Sequence, residues 1–151
     1  MELLPLIDFL FSQYGLLGLF IASIIGNATI LLPMPIDIFV VGFGAMGQNS
    51  IQVLIAGLVS GTGAAIGEMS AYLLGYLGMK GFESVKKKGV VSVEEIRERL
   101  QYKGMWIVFL GALTPFPFDV IGLAAGLIKY SPRRFFVAAL AGKIIRYCLL
   151  A

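Results

Sequence analysis

Two short stretches, LLPMPID at residues 31–37 and LTPFPFD at residues 113–119, interrupt otherwise apolar sequence. Each contains two prolines followed by an aspartate. The proline pairs are Pro33 and Pro35, and Pro115 and Pro117. Proline lacks a backbone donor and disfavours helical conformation in the residue before it. Each stretch therefore predicts a break in an apolar helix.

The two stretches belong to an internal repeat with an offset of 82 residues (115 minus 33). Between residues 31–58 and 113–140, seven of 28 aligned positions are identical, without gaps. An apolar composition accounts for some matches of leucine and alanine. It does not readily place two prolines and an aspartate in register, so the pattern favours duplication over chance.

The composition indicates a membrane protein. Of 151 residues, 58% are hydrophobic and 14% are charged, and the mean hydropathy is +0.89. This length accommodates four or five spans of about 20 residues each. There is no histidine and one cysteine, Cys148, which excludes a histidine-based catalytic or metal site and a disulfide framework. We predict no enzymatic activity, no metal, no cofactor and no nucleic-acid partner.

The charges are distributed asymmetrically. Residues 1–79 contain four acidic and no basic residues, and all twelve lysines and arginines lie from Lys80 onward. Because short basic loops face the cytoplasm, we expect 80–103 and 129–134 to be cytoplasmic. Residues 51–79 predict one uninterrupted spanning helix, with closely spaced small residues for helix contact at Gly57, Gly61, Gly63 and Gly67.

This topology places the first broken segment on the outer side and the second on the cytoplasmic side. The prediction is an all-α polytopic membrane protein, an inverted repeat with two re-entrant broken-helix hairpins plus spanning helices. The alternative is a plain bundle of proline-kinked spanning helices. The predicted single membrane domain comprises an interfacial helix at 1–14, a first repeat at 15–79, a basic loop at 80–103 whose short helix ends near Gly104, and a second repeat at 104–151.

Asp37 and Asp119 follow the second proline of each break, deep in apolar sequence. A carboxylate in a membrane is costly unless it is paired, protonated or facing water. One interpretation is a pair lining a central path, where it titrates protons or contacts a headgroup. The other is that each aspartate caps the helix that follows its break. Both remain open at this stage.

Three further charges lie within apolar segments: Glu68, Lys143 and Arg146. Glu68 precedes Lys80 by 12 residues and Arg146 follows Arg134 by 12, which puts both about 18 Å from the basic loops. An ion pair between Glu68 and Lys143 or Arg146 is therefore reasonable, as is a role in binding an anionic headgroup. The Asn27-Ala28-Thr29 glycosylation sequence lies in an apolar segment and is interpreted as chance.

Arg133 and Arg134 form a basic pair after Pro132. They are candidates for anchoring the chain to anionic lipid at the interface or for contacting phosphate.

The sequence resembles the DedA, or VTT-domain, family, also called SNARE-associated Golgi proteins. Three features carry the resemblance: the first break with its acid, the helix GTGAAIGEMSAYLLGYLG at 61–78, and the second break leading into GLAAG at 122–126. It covers about residues 15–147. Many bacterial members carry arginines flanking the proline of the second break, where this chain has Ala112 and Phe118. The Pro-x-Pro form is similar to the Tvp38-like and YqaA-like branches.

The resemblance implies lipid movement between leaflets, including undecaprenyl phosphate recycling and phospholipid scrambling. We therefore predict a translocase, a flippase or scramblase, for an anionic-headgroup lipid such as a polyprenyl phosphate or a phospholipid. Its expected location is a prokaryotic cytoplasmic membrane, with lipids, protons and a second copy of the chain as partners. The alternatives are a proton- or ion-coupled exporter of small solutes and a non-transporting scaffold.

Overall fold

A computed structural model describes residues 3–28, 36–46, 49–82, 93–115 and 117–151, with the side chains of 3–12, 43, 44, 46, 79–82 and 93–102 not described. Within these ranges the chain is all-helical, as predicted, and contains no strand. The helices are α1 (Leu3–Ala28), α2 (Ile36–Met46), α3 (Ser50–Phe82), α4 (Val93–Leu113), α5 (Phe118–Leu127) and α6 (Pro132–Leu150).

Helix α3 is the central element of the fold. It runs for 33 residues without interruption, which confirms the single helix predicted for residues 51–79. Its section Ser50–Gly78 is the one described helix that is long and apolar enough to cross a membrane by length and composition. Helices α1, α5 and α6 all pack extensively against α3.

The break predicted in the second half is confirmed. Helix α4 ends at Leu113, a turn includes Thr114 and Pro115, and α5 begins at Phe118 after Pro117 in an extended conformation. In the first half, α1 ends at Ala28 and α2 begins at Ile36. Pro33 and Pro35, to which the first break was assigned, lie outside the described residues.

The helix boundaries follow the repeat found in the sequence. Helix α2 begins at Ile36 and α5 at Phe118, an offset of 82 residues (118 minus 36). Helix α3 begins at Ser50 and α6 at Pro132, again an offset of 82 (132 minus 50). Each half therefore contains a short helix followed by a long one, in the register that the aligned prolines and aspartates require.

Two glycines mark notable positions in the helices. Gly15 has a φ of 53° and kinks α1. By contrast, the helix predicted to end near Gly104 continues to Leu113. Glycine weakens a helix interior only modestly. At Gly104 a Cβ atom would lie 2.9 Å from Cε2 of Tyr130, so the missing side chain makes room for that ring.

The small residues of α3 bring its neighbours close, as predicted. A Cβ atom on Gly57 or Gly61 would lie 2.7 or 2.6 Å from the backbone of α6. A Cβ atom on Gly63 or Gly67 would lie 2.6 or 2.5 Å from backbone oxygens of α1. These contacts fix α1 and α6 on two faces of α3 without bulky side chains between them.

The buried apolar side chains form two clusters. One joins α1, α2 and the first part of α3 to Tyr147 near the end of α6: Leu19, Ala22, Ile36, Val40, Ala56, Ala64 and Tyr147. The other joins the later part of α3 to α4, α5 and the first part of α6: Tyr72, Val108, Ala112, Phe118, Ala125, Tyr130, Phe135, Ala138 and Ala139. The site lies between these two clusters.

Candidate functional site

A buried ion pair joins the two long helices. The Nζ atom of Lys143 on α6 donates to Oε1 of Glu68 on α3 at 2.7 Å, and both side chains are 4% exposed. Lys143 also donates to Oδ1 of Asn27 at 3.0 Å and lies over the Phe118 ring, 5.2 Å from its centroid. Of the two cationic partners predicted for Glu68, the structure selects Lys143.

The position of this pair follows from the helix register. On α3, Glu68 lies one turn after Ala64 of the first apolar cluster and one turn before Tyr72 of the second. On α6, Lys143 lies between Ala139 of the second cluster and Tyr147 of the first. Residues four apart share a helix face, so both charges point into the same packed seam. The ion pair thus occupies the junction between the two apolar clusters.

Arg146 connects the two halves at their breaks. Its Nη2 atom forms an ion pair with Asp37, in the first turn of α2. Its Nη1 atom donates to the backbone oxygen of Thr114 at 2.9 Å, immediately after α4 ends. One guanidinium therefore contacts the acid of the first half and a carbonyl released by the second break. The pair is more accessible than Glu68–Lys143, with Arg146 13% and Asp37 39% exposed.

Asp119 differs from Asp37, its counterpart in the repeat. It lies in the first turn of α5, is half-buried, and interacts electrostatically with Lys143 and Glu68. Among the described residues no cation forms an ion pair with it, and no hydrogen bond from α5 reaches its carboxylate. Its proximity to a helix N-terminus remains favourable for a negative charge. The site thus holds three carboxyl groups and two cations, and one carboxyl group has no direct cationic partner within the described chain.

The other predicted residues lie away from this cluster. Arg133 and Arg134 are exposed in the first turn of α6, and Arg134 is 12 residues, or about 18 Å, from Arg146. Pro115 and Pro117 are exposed in the second break. These residues shape the break and the basic end of α6 and make no contact with the charge cluster that the structure describes.

Asn27 is the participant that the sequence interpretation missed. Its amide oxygen accepts from Lys143, and its amide nitrogen donates to the Ser23 backbone oxygen at 2.9 Å. Nearby, the Ser70 hydroxyl donates to the Ala28 backbone oxygen at 2.9 Å, which satisfies a carbonyl at the end of α1. The sequence signal for this role was a polar amide one residue before the end of an apolar helix. The sequence interpretation treated Asn27 only as part of a glycosylation sequence.

One oxygen in the cluster lacks a partner. Oε2 of Glu68 is buried and accepts no hydrogen bond in the described part of the chain. A buried acceptor of this kind retains the capacity to bind a proton, a water molecule or a ligand donor. No group of three or more potential metal-ligating side chains occurs among the described residues. The charged groups present at the site can form ion pairs and exchange protons.

Comparison with known proteins identifies the family. A family model described as the VTT domain matches residues 32–151, which is well over half of the chain and begins after α1. Neither the curated proteins nor the solved structures contain a match. Members of the VTT-domain, or DedA, family are membrane proteins, generally transporters and not a known class of enzymes. The chain therefore belongs to the VTT-domain (DedA) family, which is consistent with a function in membrane transport or with lipids.

Proposed function

We propose that this protein is a translocase, a flippase or scramblase, that moves an anionic-headgroup lipid such as a phospholipid or a polyprenyl phosphate between leaflets. The observation that carries the proposal is the charge cluster formed by Asp37, Glu68, Asp119, Lys143 and Arg146 between apolar helices. Intramembrane charges are expensive and typically mark a path for polar groups.

The more exposed ion pair is the proposed headgroup contact. A phosphate displaces the Asp37 carboxylate from Arg146, because a guanidinium binds phosphate with two parallel hydrogen bonds. Asp37 is 39% exposed, so it has room to leave, whereas Glu68 and Lys143 are each 4% exposed. In this mechanism Arg146 and Asp37 exchange partners during transport, while Glu68 and Lys143 hold α3 against α6.

Asp119 supplies the second acid of the path. With all five groups ionised the cluster carries a net charge of −1 (two cations against three carboxylates). That charge opposes an incoming phosphate. Uptake of one proton by the cluster, with Asp119 as the acceptor, neutralises this net negative charge. The anionic headgroup can then approach Arg146. Proton uptake and headgroup entry are thereby linked.

The lengths of the short helices support the re-entrant arrangement. Helix α2 has 11 residues and α5 has 10, so each extends for about 15 Å, half of a hydrocarbon core of about 30 Å. Together with the offset of 82 residues and the basic loops at 80–103 and 129–134, this favours two hairpins that enter from opposite sides. The Pro-x-Pro breaks favour the Tvp38-like or YqaA-like branch, in a prokaryotic cytoplasmic membrane. Protons and a second copy of the chain are the further proposed partners.

Two other functions make different predictions. A scaffold needs its buried charges mutually satisfied, and Asp119 without a direct cationic partner among the described residues argues against that. A proton- or ion-coupled exporter of small solutes needs an enclosed path with no opening toward lipid. The partly exposed Asp37–Arg146 pair favours the lipid substrate.

Reconstitution into liposomes tests the proposal. Fluorescent phosphatidylglycerol, phosphatidylcholine and polyprenyl phosphate are reduced from outside with dithionite, so the inner leaflet is protected unless lipid crosses. We expect faster loss of the protected fraction for at least one phosphate-bearing lipid than in protein-free vesicles. Rates equal to those of empty vesicles for all three lipids would overturn the proposal.

Site variants connect the rate to the cluster. Asp37→Asn and Asp119→Asn should each slow translocation while the protein stays monodisperse and keeps its Tm. Thr62→Val is the matched control, because Thr62 is on α3 and donates only to its own helix, at the Leu58 backbone oxygen. Wild-type rates from both aspartate variants would remove these residues from the path.

A further inference from the structure

The Lys143 ammonium interacts with two carboxylates. It donates to Oε1 of Glu68 at 2.7 Å, and it also interacts electrostatically with Asp119 in the first turn of α5. The Phe118 ring, next to Asp119 in sequence, has its centroid 5.2 Å from the ammonium, so α5 begins beside the same group. One cation therefore has two candidate partners, and in the described part of the chain it forms its ion pair with Glu68.

The amide oxygen of Asn27 distinguishes the two carboxylates. It accepts from Lys143 at 3.0 Å, so the ammonium that binds Glu68 gains a second acceptor that carries no charge. A lysine ammonium has three donors, and hydrogen bonds to charged groups are stronger than those between neutral groups. Within the described ranges Lys143 makes no hydrogen bond to Asp119. The amide thus favours the arrangement in which Lys143 stays on Glu68.

The surroundings of Asn27 fix the position of this amide. Its Nδ2 atom donates to the Ser23 backbone oxygen at 2.9 Å, and the side chain is also hydrogen-bonded to the Tyr147 hydroxyl. Gly67 admits α1 at this point, since a Cβ atom there would lie 2.9 Å from Cβ of Asn27. Because Gly67 precedes Glu68, the close approach of the two helices brings the amide beside the ion pair.

We propose that Asn27 is a positioning residue that holds Lys143 on Glu68 and thereby keeps the Asp119 carboxylate without a cation. Helix α1 in this way determines which acid of the site stays available. The use of Asp119 as a proton acceptor rests on the proposed function, whereas the choice between the two carboxylates does not. The matched family segment begins at residue 32, so the residue that makes this choice lies outside it.

Carbodiimide labelling measures which carboxyl group is available. Dicyclohexylcarbodiimide is apolar and adds to protonated carboxyl groups, whereas a carboxylate next to a cation stays ionised and is protected. The full-length protein in detergent is labelled at neutral pH, and peptide mass spectrometry gives the modified fraction of Asp119 and of Glu68. We expect more label on Asp119 in the wild type, because Glu68 forms the ion pair. More label on Glu68 would overturn the proposal.

Asn27→Leu removes the amide acceptor and keeps the approximate size of the side chain. We expect the ratio of Asp119 label to Glu68 label to fall about ten-fold, the factor that one hydrogen bond to a charged group gives. Label lost from Asp119 should appear on Glu68, because the same ammonium moves from one carboxylate to the other. An unchanged ratio would overturn the proposal, and so would more label on both acids, which is the result of general loosening.

Two further variants separate the acceptor from the packing of α1. Asn27→Asp again offers Lys143 an oxygen at this position and should keep the wild-type ratio. Ser70→Ala is the matched control, because the Ser70 hydroxyl donates to the Ala28 backbone oxygen at the end of α1 and has no described contact with Lys143. It should also keep the wild-type ratio. A ratio as low as that of Asn27→Leu in either variant would contradict the positioning role.

A double variant tests whether Asn27 acts through Lys143. In a background of Lys143→Met and Glu68→Gln there is no ammonium to move, so adding Asn27→Leu should leave the Asp119 label unchanged. A ten-fold change there would overturn the proposal. Lipid translocation is measured separately in liposomes. Its absence in the wild type would remove the proposed function and leave the labelling result intact, whereas an unchanged label ratio would remove only the role of Asn27.

Discussion

Arg146 and Lys143 are three residues apart on α6, yet their environments differ. Lys143 is 4% exposed and is surrounded by Glu68, Asn27 and the Phe118 ring. Arg146 is 13% exposed, and its partner Asp37 is 39% exposed. Breaking a buried pair leaves an uncompensated charge, whereas a partly exposed pair exchanges partners at lower cost. The Glu68–Lys143 pair therefore suits a structural role. The Asp37–Arg146 pair suits a role in which its members exchange partners.

Removing one member of the buried pair should destabilise the protein. Lys143→Met leaves the Glu68 carboxylate without its cation and should cost about 3 to 5 kcal/mol. Adding Glu68→Gln to that variant removes the stranded charge and should recover a large part of the loss. Thermal unfolding in detergent, followed by Trp106 fluorescence, measures both. A Tm for Lys143→Met equal to that of the wild type would show that the pair does not stabilise the fold.

Arg146→Lys tests whether the guanidinium shape matters in addition to the charge. Lysine retains the positive charge but cannot contact Asp37 and the Thr114 oxygen with a planar fork, nor bind a phosphate through two parallel bonds. We expect translocation to fall about ten-fold in the liposome assay, with a much smaller effect on Tm. Full activity would mean that a point charge suffices and that phosphate is not held by a bidentate contact.

One partner of Glu68 could be predicted from sequence, whereas the other contacts of the charge cluster could not. Counting residues from the basic loops placed Glu68 near the depth of Lys143 and Arg146, and the structure joins it to Lys143. The sequence did not predict that Arg146 pairs with Asp37, because that contact depends on how α2 docks against α6. Asn27 was missed for a similar reason: its contact with Lys143 joins residues 116 positions apart.

At the scale of elements, the glycines of α3 determine which helices pack closely against it. Gly57 and Gly61 face α6, whereas Gly63 and Gly67 face α1. Gly75 faces the backbone of α5 at Leu123. Without these close approaches, Glu68 on α3 and Lys143 on α6 would not meet. Small side chains in this helix thus determine the geometry of the charge cluster.

Gly61→Ala should separate α3 from α6. Its Cβ atom would lie 2.6 Å from Cα of Ile144, next to Lys143, and a backbone atom cannot yield as a flexible side chain does. We expect a lower Tm and a smaller monodisperse fraction on size exclusion. Gly78→Ala is the matched control on the same helix, since nothing lies within 4 Å of its Cβ position. Equal behaviour of the two variants would contradict the close-packing argument.

Sequence patterns predicted helices where one local cause dominates. Proline fixed the break before α5, and uninterrupted apolar length predicted α3. The pattern failed at Gly104, where the change from charged to apolar residues was interpreted as a helix end. The change from charged to apolar residues occurs within α4, which continues through it without a break. Packing of the Tyr130 ring against Gly104 is a tertiary effect, which local propensity does not encode.

At the scale of the whole molecule, the two halves share an order of elements but not a distribution of charge. Helices α2 and α3 begin 82 residues before α5 and α6. The positions equivalent to Lys143 and Arg146 are Gly61 and Ala64 (143 and 146 minus 82). Both cations of the cluster therefore come from the second half, and Asp37 and Glu68 come from the first. The charge pairing therefore joins the two halves of the chain.

The proposed opposite orientation of the halves is tested by labelling. In a Cys148→Ser background, Asn49→Cys and Arg133→Cys each introduce one exposed thiol near the start of the long helix of its half. If the repeat is inverted, a membrane-impermeant maleimide applied to intact cells should label Asn49→Cys directly. It should label Arg133→Cys only after permeabilisation, because the basic 129–134 turn faces the cytoplasm. Lys103→Cys, in the other basic segment, should behave as Arg133→Cys does. Labelling of Asn49→Cys and Arg133→Cys from the same side would replace the inverted repeat with a parallel one.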